Sequence, residues 1–79
     1  MTQEQRRQIL VETVKMFSKQ EWFRDVAVHD SHPITGEPTL EIKVNYMPLF
    51  ERKNVLEFAQ KYNLMSRFTI VDKNGKPVE

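Results

Sequence analysis

Residues 39–47 constrain the fold of this chain more than any other stretch. Four apolar residues alternate there with four polar ones: Leu40, Ile42, Val44 and Tyr46 with Thr39, Glu41, Lys43 and Asn45. A period of two, rich in β-branched and aromatic side chains, is typical of a half-buried β-strand. The stretch therefore predicts a strand with one apolar face, which ends at Pro48 because proline has no N–H to donate to a sheet.

A first amphipathic helix is predicted over residues 3–18. Thr2 and Gln5 have the spacing of a capping box, in which each side chain bonds the other residue's backbone N–H. The apolar side chains recur at three- and four-residue intervals, as one face of a helix requires: Ile9, Leu10, Thr13, Val14 and Phe17, with Met16 widening the stripe.

A second, shorter helix is predicted after residue 53. Asn54 and Glu57 have the spacing of another capping box, with Asn54 as the cap. Asn63 suits the left-handed position that follows a helix C-terminus. Between them one face is apolar: Val55, Phe58, Ala59 and Tyr62.

Two further strands are predicted, over residues 23–30 and 67–72. The first carries apolar groups on both faces, so either it is a central strand or Trp22 and Phe23 belong to the preceding turn. Residues 31–38 contain two prolines and a glycine and form the loop between the first two strands. Asn74 and Gly75 favour a turn after the last strand, leaving residues 77–79 as a tail or a short edge strand.

The order of elements predicts an α+β fold in a single domain of residues 1–79. Each helix has one apolar stripe and the 39–47 strand has one apolar face. The economical arrangement is a two-layer α/β sandwich of order α-β-β-α-β, with a three-stranded, mainly antiparallel sheet and both helices on one face. The pattern resembles a ferredoxin-like split βαβ unit without its first strand, a resemblance of architecture that implies no function.

Composition narrows the classes of function. The chain has no cysteine, which leaves no disulfide framework and no thiolate metal site. It has no apolar run long enough to span a membrane, and we expect it to carry no secretory signal and to be cytoplasmic. At 79 residues, without disulfide or metal, extra stability must come from packing or a partner chain, so a homodimer is a reasonable hypothesis.

The only cluster that resembles a metal site is His29, Asp30 and His32, which Glu37 could join from across the loop. Imidazole and carboxylate both bind zinc. Alternation along a strand, however, places His29 on the face opposite Asp30 and His32, so only a turn at Ser31 would bring the two histidines together. The competing interpretation is a polar strand end that caps a turn.

No catalytic constellation is readable. The carboxylates of Glu21, Asp25, Glu37 and Glu41 form no recognisable pair, and a domain this small has little room for a dry pocket. Gly36 and Gly75 are the only glycines, so no phosphate-binding loop exists. The chain is therefore predicted to be no enzyme and to have no cofactor.

A nucleic-acid-binding surface is the main alternative function. Seven basic residues lie in the C-terminal half: Lys43, Arg52, Lys53, Lys61, Arg67, Lys73 and Lys76. Phe50 and Tyr62 could supply stacking surfaces beside them. Against this, the net charge is only +1, and the same residues suit a solvated surface with Phe50 and Tyr62 in the core.

Protein interaction is the function that the sequence favours. Trp22, Phe23, Ile34 and Leu49 exceed what the helix stripes and the strand face require, and Trp and Phe are typical interface anchors. Lys43 lies on the predicted wet face of the sheet. We therefore expect a small, non-catalytic interaction or regulatory module that binds a protein partner or a second copy, with Trp22 and Phe23 alternatively completing the core.

Overall fold

The computed structural model describes residues 1–31, 34 and 36–78, and it confirms the predicted order and fold class. Its elements are α1 (Gln3–Phe17), β1 (Phe23–His29), β2 (Thr39–Val44), α2 (Arg52–Lys61) and β3 (Met65–Ile70). The last strand begins two residues earlier and ends two residues earlier than predicted.

The strand predicted from the alternating pattern is the centre of the sheet. β2 pairs with β1 in antiparallel and with β3 in parallel orientation, so the strand order is β1-β2-β3. The hypothesis that β1 is central is wrong. Its register shifts between Phe23 and Asp25, which leaves Arg24 as the extra residue of a bulge, and bulges are typical of edge strands.

Both helices cover one face of this sheet. The side chains of Leu40, Ile42 and Val44 are fully buried beneath them. The ring centroids of Phe17 in α1 and Phe58 in α2 lie 5.7 Å apart, in an edge-on arrangement that aromatic pairs favour. α1 packs chiefly against β1, and α2 against β3.

The first helix begins as predicted but buries a narrower stripe. Thr2 Oγ1 accepts a hydrogen bond from the Gln5 N–H at 3.1 Å, and Gln5 Oε1 accepts one from the Thr2 N–H at 3.0 Å. Ile9, Thr13 and Phe17 are buried. Val14 and Met16 are exposed instead, because the helix meets the sheet mainly along the i, i+4 row of its surface, with Leu10 partly buried beside that row.

The second helix begins earlier than its sequence signal indicated. Its N-cap is Glu51, and the predicted cap Asn54 lies inside the helix, where its side chain donates to Glu51 Oε2 at 2.8 Å. The reason is a turn just before it, in which the Glu51 N–H donates to the Pro48 carbonyl at 3.0 Å and starts the helical conformation early.

The end of this helix follows the prediction. Asn63 has φ = 58°, and the Leu64 N–H donates back to the Ala59 carbonyl at 2.9 Å. The Asn63 N–H donates to the Gln60 carbonyl at 3.0 Å, which completes a Schellman motif. The motif directs buried Leu64 into the core and the chain into β3.

The tail returns along β3. Asp72 Oδ1 accepts from the Asn74 and Lys76 N–H groups, Gly75 has φ = +81°, and the Val78 N–H donates to the Ile70 carbonyl at 2.8 Å. The predicted turn is therefore confirmed, with Pro77 bridged to Val71. Glu79 lies outside the described residues.

Candidate interaction surface

The chain leaves the sheet sooner than the alternating pattern indicated. β2 ends at Val44. The Asn45 N–H then donates to the Trp22 carbonyl at 2.9 Å, and Asn45 Nδ2 donates to the Glu21 carbonyl at 3.0 Å. Because these bonds hold Asn45 against the turn before β1, Tyr46 is not part of the apolar strand face as predicted; it is 52% exposed.

The segment that follows, residues 46–50, carries two of the three most exposed large apolar side chains among the described residues, and we call it the 46–50 loop. Leu49 is 68% exposed and Phe50 is 97% exposed. Pro48 is buried, and the Leu49 N–H donates to the Met47 carbonyl at 3.1 Å. The loop is therefore anchored at its middle and at both ends while two large apolar side chains face water.

A shallow pocket lies beside these side chains. Its volume is about 350 Å³, and apart from Glu51 its lining is apolar or aromatic: Trp22, Tyr46, Met47, Pro48, Leu49 and Phe50. Exposed apolar surface next to an apolar depression is typical of a site where a protein binds another molecule.

A second groove runs between the two helices and continues from this loop. It has a volume of about 470 Å³, and most of its lining is polar or charged: Gln20, Glu51, Asn54, Glu57 and Lys61 line it together with Met16, Phe17 and Phe58. Phe17 and Phe58 are buried, so exposed Met16 is the one apolar side chain that this groove presents to water.

The sheet face opposite the helices, which we call the open face, has a different character. Glu41 lies at its centre on β2 and accepts hydrogen bonds from Thr69 Oγ1 on β3 and from His29 Nε2 on β1, the latter at 2.9 Å. These three polar side chains cross all three strands. Among the described residues, no helix or strand lies over them.

The Glu41 carboxylate is ionised in this setting. Its side chain is only 15% exposed, and burial raises its pKa. The hydrogen bonds from Thr69 and His29 and the electrostatic attraction of His29 and Lys43 outweigh burial, so the pKa of Glu41 lies below its ordinary value. The open face therefore has its central charge satisfied by its own neighbours.

The five residues predicted for interaction lie on different parts of the molecule. Trp22 is 5% exposed and packs against Phe17, with ring centroids 5.7 Å apart, so it completes the core, as the competing interpretation held. Phe23 is half-buried in β1, and Lys43 is half-buried on the open face. Ile34 is exposed in the loop between β1 and β2. Only Leu49 of the five projects from the 46–50 loop, although Trp22 lines the adjacent pocket.

Two residues of the surface were not predicted to belong to it. Phe50 was assigned to nucleic-acid stacking or the core, and Tyr46 to the strand. Their signal in the sequence is Pro48, which ends any strand, followed by two large apolar residues before a helix with its own apolar face. Leu49 and Phe50 thus belong to neither pattern of burial.

The basic residues of the nucleic-acid alternative lie on different parts of the molecule. Lys43 and Arg67 are on the open face, whereas Arg52, Lys53 and Lys61 belong to α2 in the other layer. Tyr62 is half-buried with its ring centroid 5.3 Å from that of Phe58, so it is not a free stacking surface. No single face brings these cations together with both aromatics, and nucleic-acid binding stays a prediction.

The predicted metal site lies only partly within the described residues. His32 lies outside the described residues, and His29 is hydrogen-bonded to Glu41. Within the described part of the chain, no three His, Cys, Asp or Glu residues are placed to hold a metal ion together.

No family model matches the chain, and no curated protein and no solved structure shows significant similarity to it. Neither helix in the described residues has the length and apolar character needed to cross a membrane.

Proposed function

We propose that the chain is a non-catalytic protein-interaction module that binds a partner protein through the 46–50 loop. The observation that carries the proposal is Phe50, a large aromatic residue that is 97% exposed. Moving a Phe or Leu side chain from water into a protein interface is favourable by about 1.5–3 kcal/mol. The loop therefore offers binding energy that the isolated domain does not use.

The shape of the loop supports the same function. Its backbone is hydrogen-bonded at Asn45, Leu49 and Glu51, so little conformational entropy is lost when a partner binds. Aromatic anchors that project from an ordered backbone are typical of interface hot spots. The open face has no comparable feature, since its central polar groups bond one another.

The proposal is tested by placing a photoreactive phenylalanine analogue at position 50 and, as a control, at position 11. Val11 is 45% exposed on α1. In an extract of the native host, we expect position 50 to form a defined adduct and position 11 to form none. Excess unlabelled wild-type chain should suppress an adduct with a different protein and should increase an adduct with a second copy, whereas excess unlabelled Phe50→Ser chain should do neither.

The competition step decides between specific binding and adventitious contact. An adduct whose yield responds equally to wild-type and Phe50→Ser chains would overturn the proposal, as would no adduct with the labelled chain at up to about 1 mM. Circular dichroism melting of each competitor confirms that the two chains are equally folded.

A further inference from the structure

We infer that the partner at the 46–50 loop is a second copy of this chain, held in a symmetric and weak dimer. The inference rests on the proposed function and names the occupant of the same surface. A two-fold interface requires one surface patch to be complementary to itself. The loop meets this requirement in shape, because exposed Phe50 stands beside an apolar pocket lined by Trp22 and Met47.

The charges next to the loop are also complementary to themselves. Glu51 follows Phe50 directly, and Arg52 and Lys53 come next, both exposed at the start of α2. Neither Arg52 nor Lys53 forms an ion pair with a described residue. A two-fold axis through the loop would bring Glu51 of each copy toward Arg52 of the other, so opposite charges would surround the apolar contact.

The size of the patch sets the expected strength. A stable protein interface buries about 800 Å² on each partner. One aromatic side chain contributes about 150–250 Å², so Tyr46, Leu49 and Phe50 together fall short of that area. We therefore expect a dimer that is populated at about 0.1–1 mM and dissociates on dilution.

The first test is sedimentation velocity of the purified chain. Between about 10 µM and about 1 mM, the range in which an interface of this size associates, the weight-average sedimentation coefficient should rise with concentration. Phe50→Ser should weaken the association at least about tenfold, as expected for a hot-spot residue. Val11→Ser should leave it unchanged.

The second test uses charge reversal to identify the second copy as the partner. Glu51→Lys places like charges across the two-fold axis, and so does Arg52→Glu, so each variant alone should associate more weakly than wild type. When the two variants are mixed, every contact across the axis pairs opposite charges. The mixture should therefore form heterodimers more readily than either variant forms homodimers.

A third test uses the unmodified chain, so its result does not depend on whether the variants fold. Amide chemical shifts that change with concentration should be confined to residues 46–53 and the adjoining pocket. A wild-type chain that is monomeric throughout the concentration range would overturn the inference, as would shifts centred on the open face or a mixture that associates no better than its components. The photo-crosslinking at position 50 tests the proposed function independently of the dimer, since it detects any protein partner.

Discussion

The open face and the 46–50 loop are both exposed, but their side chains have opposite relations to water. On the open face, Glu41 is bonded by Thr69 and His29, and a charged group so placed has little to gain from a partner. On the loop, Leu49 and Phe50 have apolar surface that only another molecule can cover. Exposure alone therefore does not identify a binding surface. Apolar surface left in water does, whereas polar groups already hydrogen-bonded to one another do not.

The difference has a structural origin in the central strand. β2 has one face buried under two helices and the other on the open face, and the strand period decides on which face each of its residues lies. The loop begins where that period stops, at Asn45. Beyond it no repeating pattern dictates burial, and apolar residues can be placed outward without disturbing the sheet.

The largest expected difference is between the stability losses caused by substitutions in the sheet core and in the 46–50 loop. Ile42 is fully buried, and Ile42→Ala should lower the free energy of unfolding by about 2–5 kcal/mol, through lost burial and the cavity left behind. Leu49→Ala, which removes a similar side chain from the loop, should change it by less than about 0.5 kcal/mol. Urea denaturation followed by Trp22 fluorescence measures both.

Because a domain of this size has little stability to lose, Ile42→Val provides a milder version with an expected loss of about 0.5–1.5 kcal/mol. If Leu49→Ala destabilised the chain as much as Ile42→Ala, the loop would be part of the core, and the contrast between the two regions would be wrong.

The next effect concerns the charge at the centre of the open face. Glu41→Gln removes a carboxylate that accepts two hydrogen bonds, and we expect a loss of about 1.5 kcal/mol at neutral pH. Since the folded-state pKa of Glu41 lies below its ordinary value of 4.5, the stabilising contribution is complete above that pH. It is lost as the pH falls through the folded-state pKa.

The difference in unfolding free energy between wild type and Glu41→Gln should therefore shrink toward zero as the pH falls below the ordinary pKa of the Glu41 carboxyl group. Parallel denaturation series at each pH measure it, and the other carboxylates cancel because both chains contain them. A difference that grew as the pH fell below the ordinary pKa of Glu41 would mean that the folded protein disfavours the charged form of Glu41, contrary to its hydrogen bonding.

A large part of the fold could be predicted from residues 39–47 and the helix signals, because periodicity records which side of an element is buried. The Thr2 capping box and the left-handed Asn63 are local backbone chemistry and were predicted correctly. Asn54 was misassigned because a capping sequence competes with the turn made by Pro48, and the sequence does not show which of two adjacent starts prevails.

The candidate surface was harder to predict for a different reason. Trp22 and Phe50 are both large aromatic residues next to an element boundary, yet one is in the core and the other is in water. Their environments depend on where the turn before β1 meets the end of β2, a contact between segments more than twenty residues apart. Neither local propensity nor periodicity contains that information, and the cross-strand contact of His29, Glu41 and Thr69 likewise depends on the sheet register.

A smaller effect tests whether the polar residues of the open face act together. Thr69→Val keeps the shape of the side chain and removes its hydroxyl group, so the hydrogen bond to Glu41 is lost, at a cost of about 0.5–1.5 kcal/mol. The double variant Glu41→Gln/Thr69→Val should lose less stability than the sum of the two single losses, by a coupling energy of at least about 0.5 kcal/mol. Strict additivity would show that the two side chains contribute independently.

The smallest expected effect is the most informative about the loop. Phe50→Ser should change the unfolding free energy of the dilute, monomeric chain by no more than about 0.5 kcal/mol, because the ring is equally exposed to water before and after unfolding. The melting curve at low protein concentration measures this, with Phe58→Ser as the buried counterpart that should be strongly destabilised. If the inferred dimer forms, the wild-type chain should be more stable at high than at low concentration, and the Phe50→Ser chain should not, since only association would bury the ring. A loss above about 1 kcal/mol in dilute solution would place Phe50 among the residues that hold the fold together, and the loop would then have no apolar surface to spare for a partner.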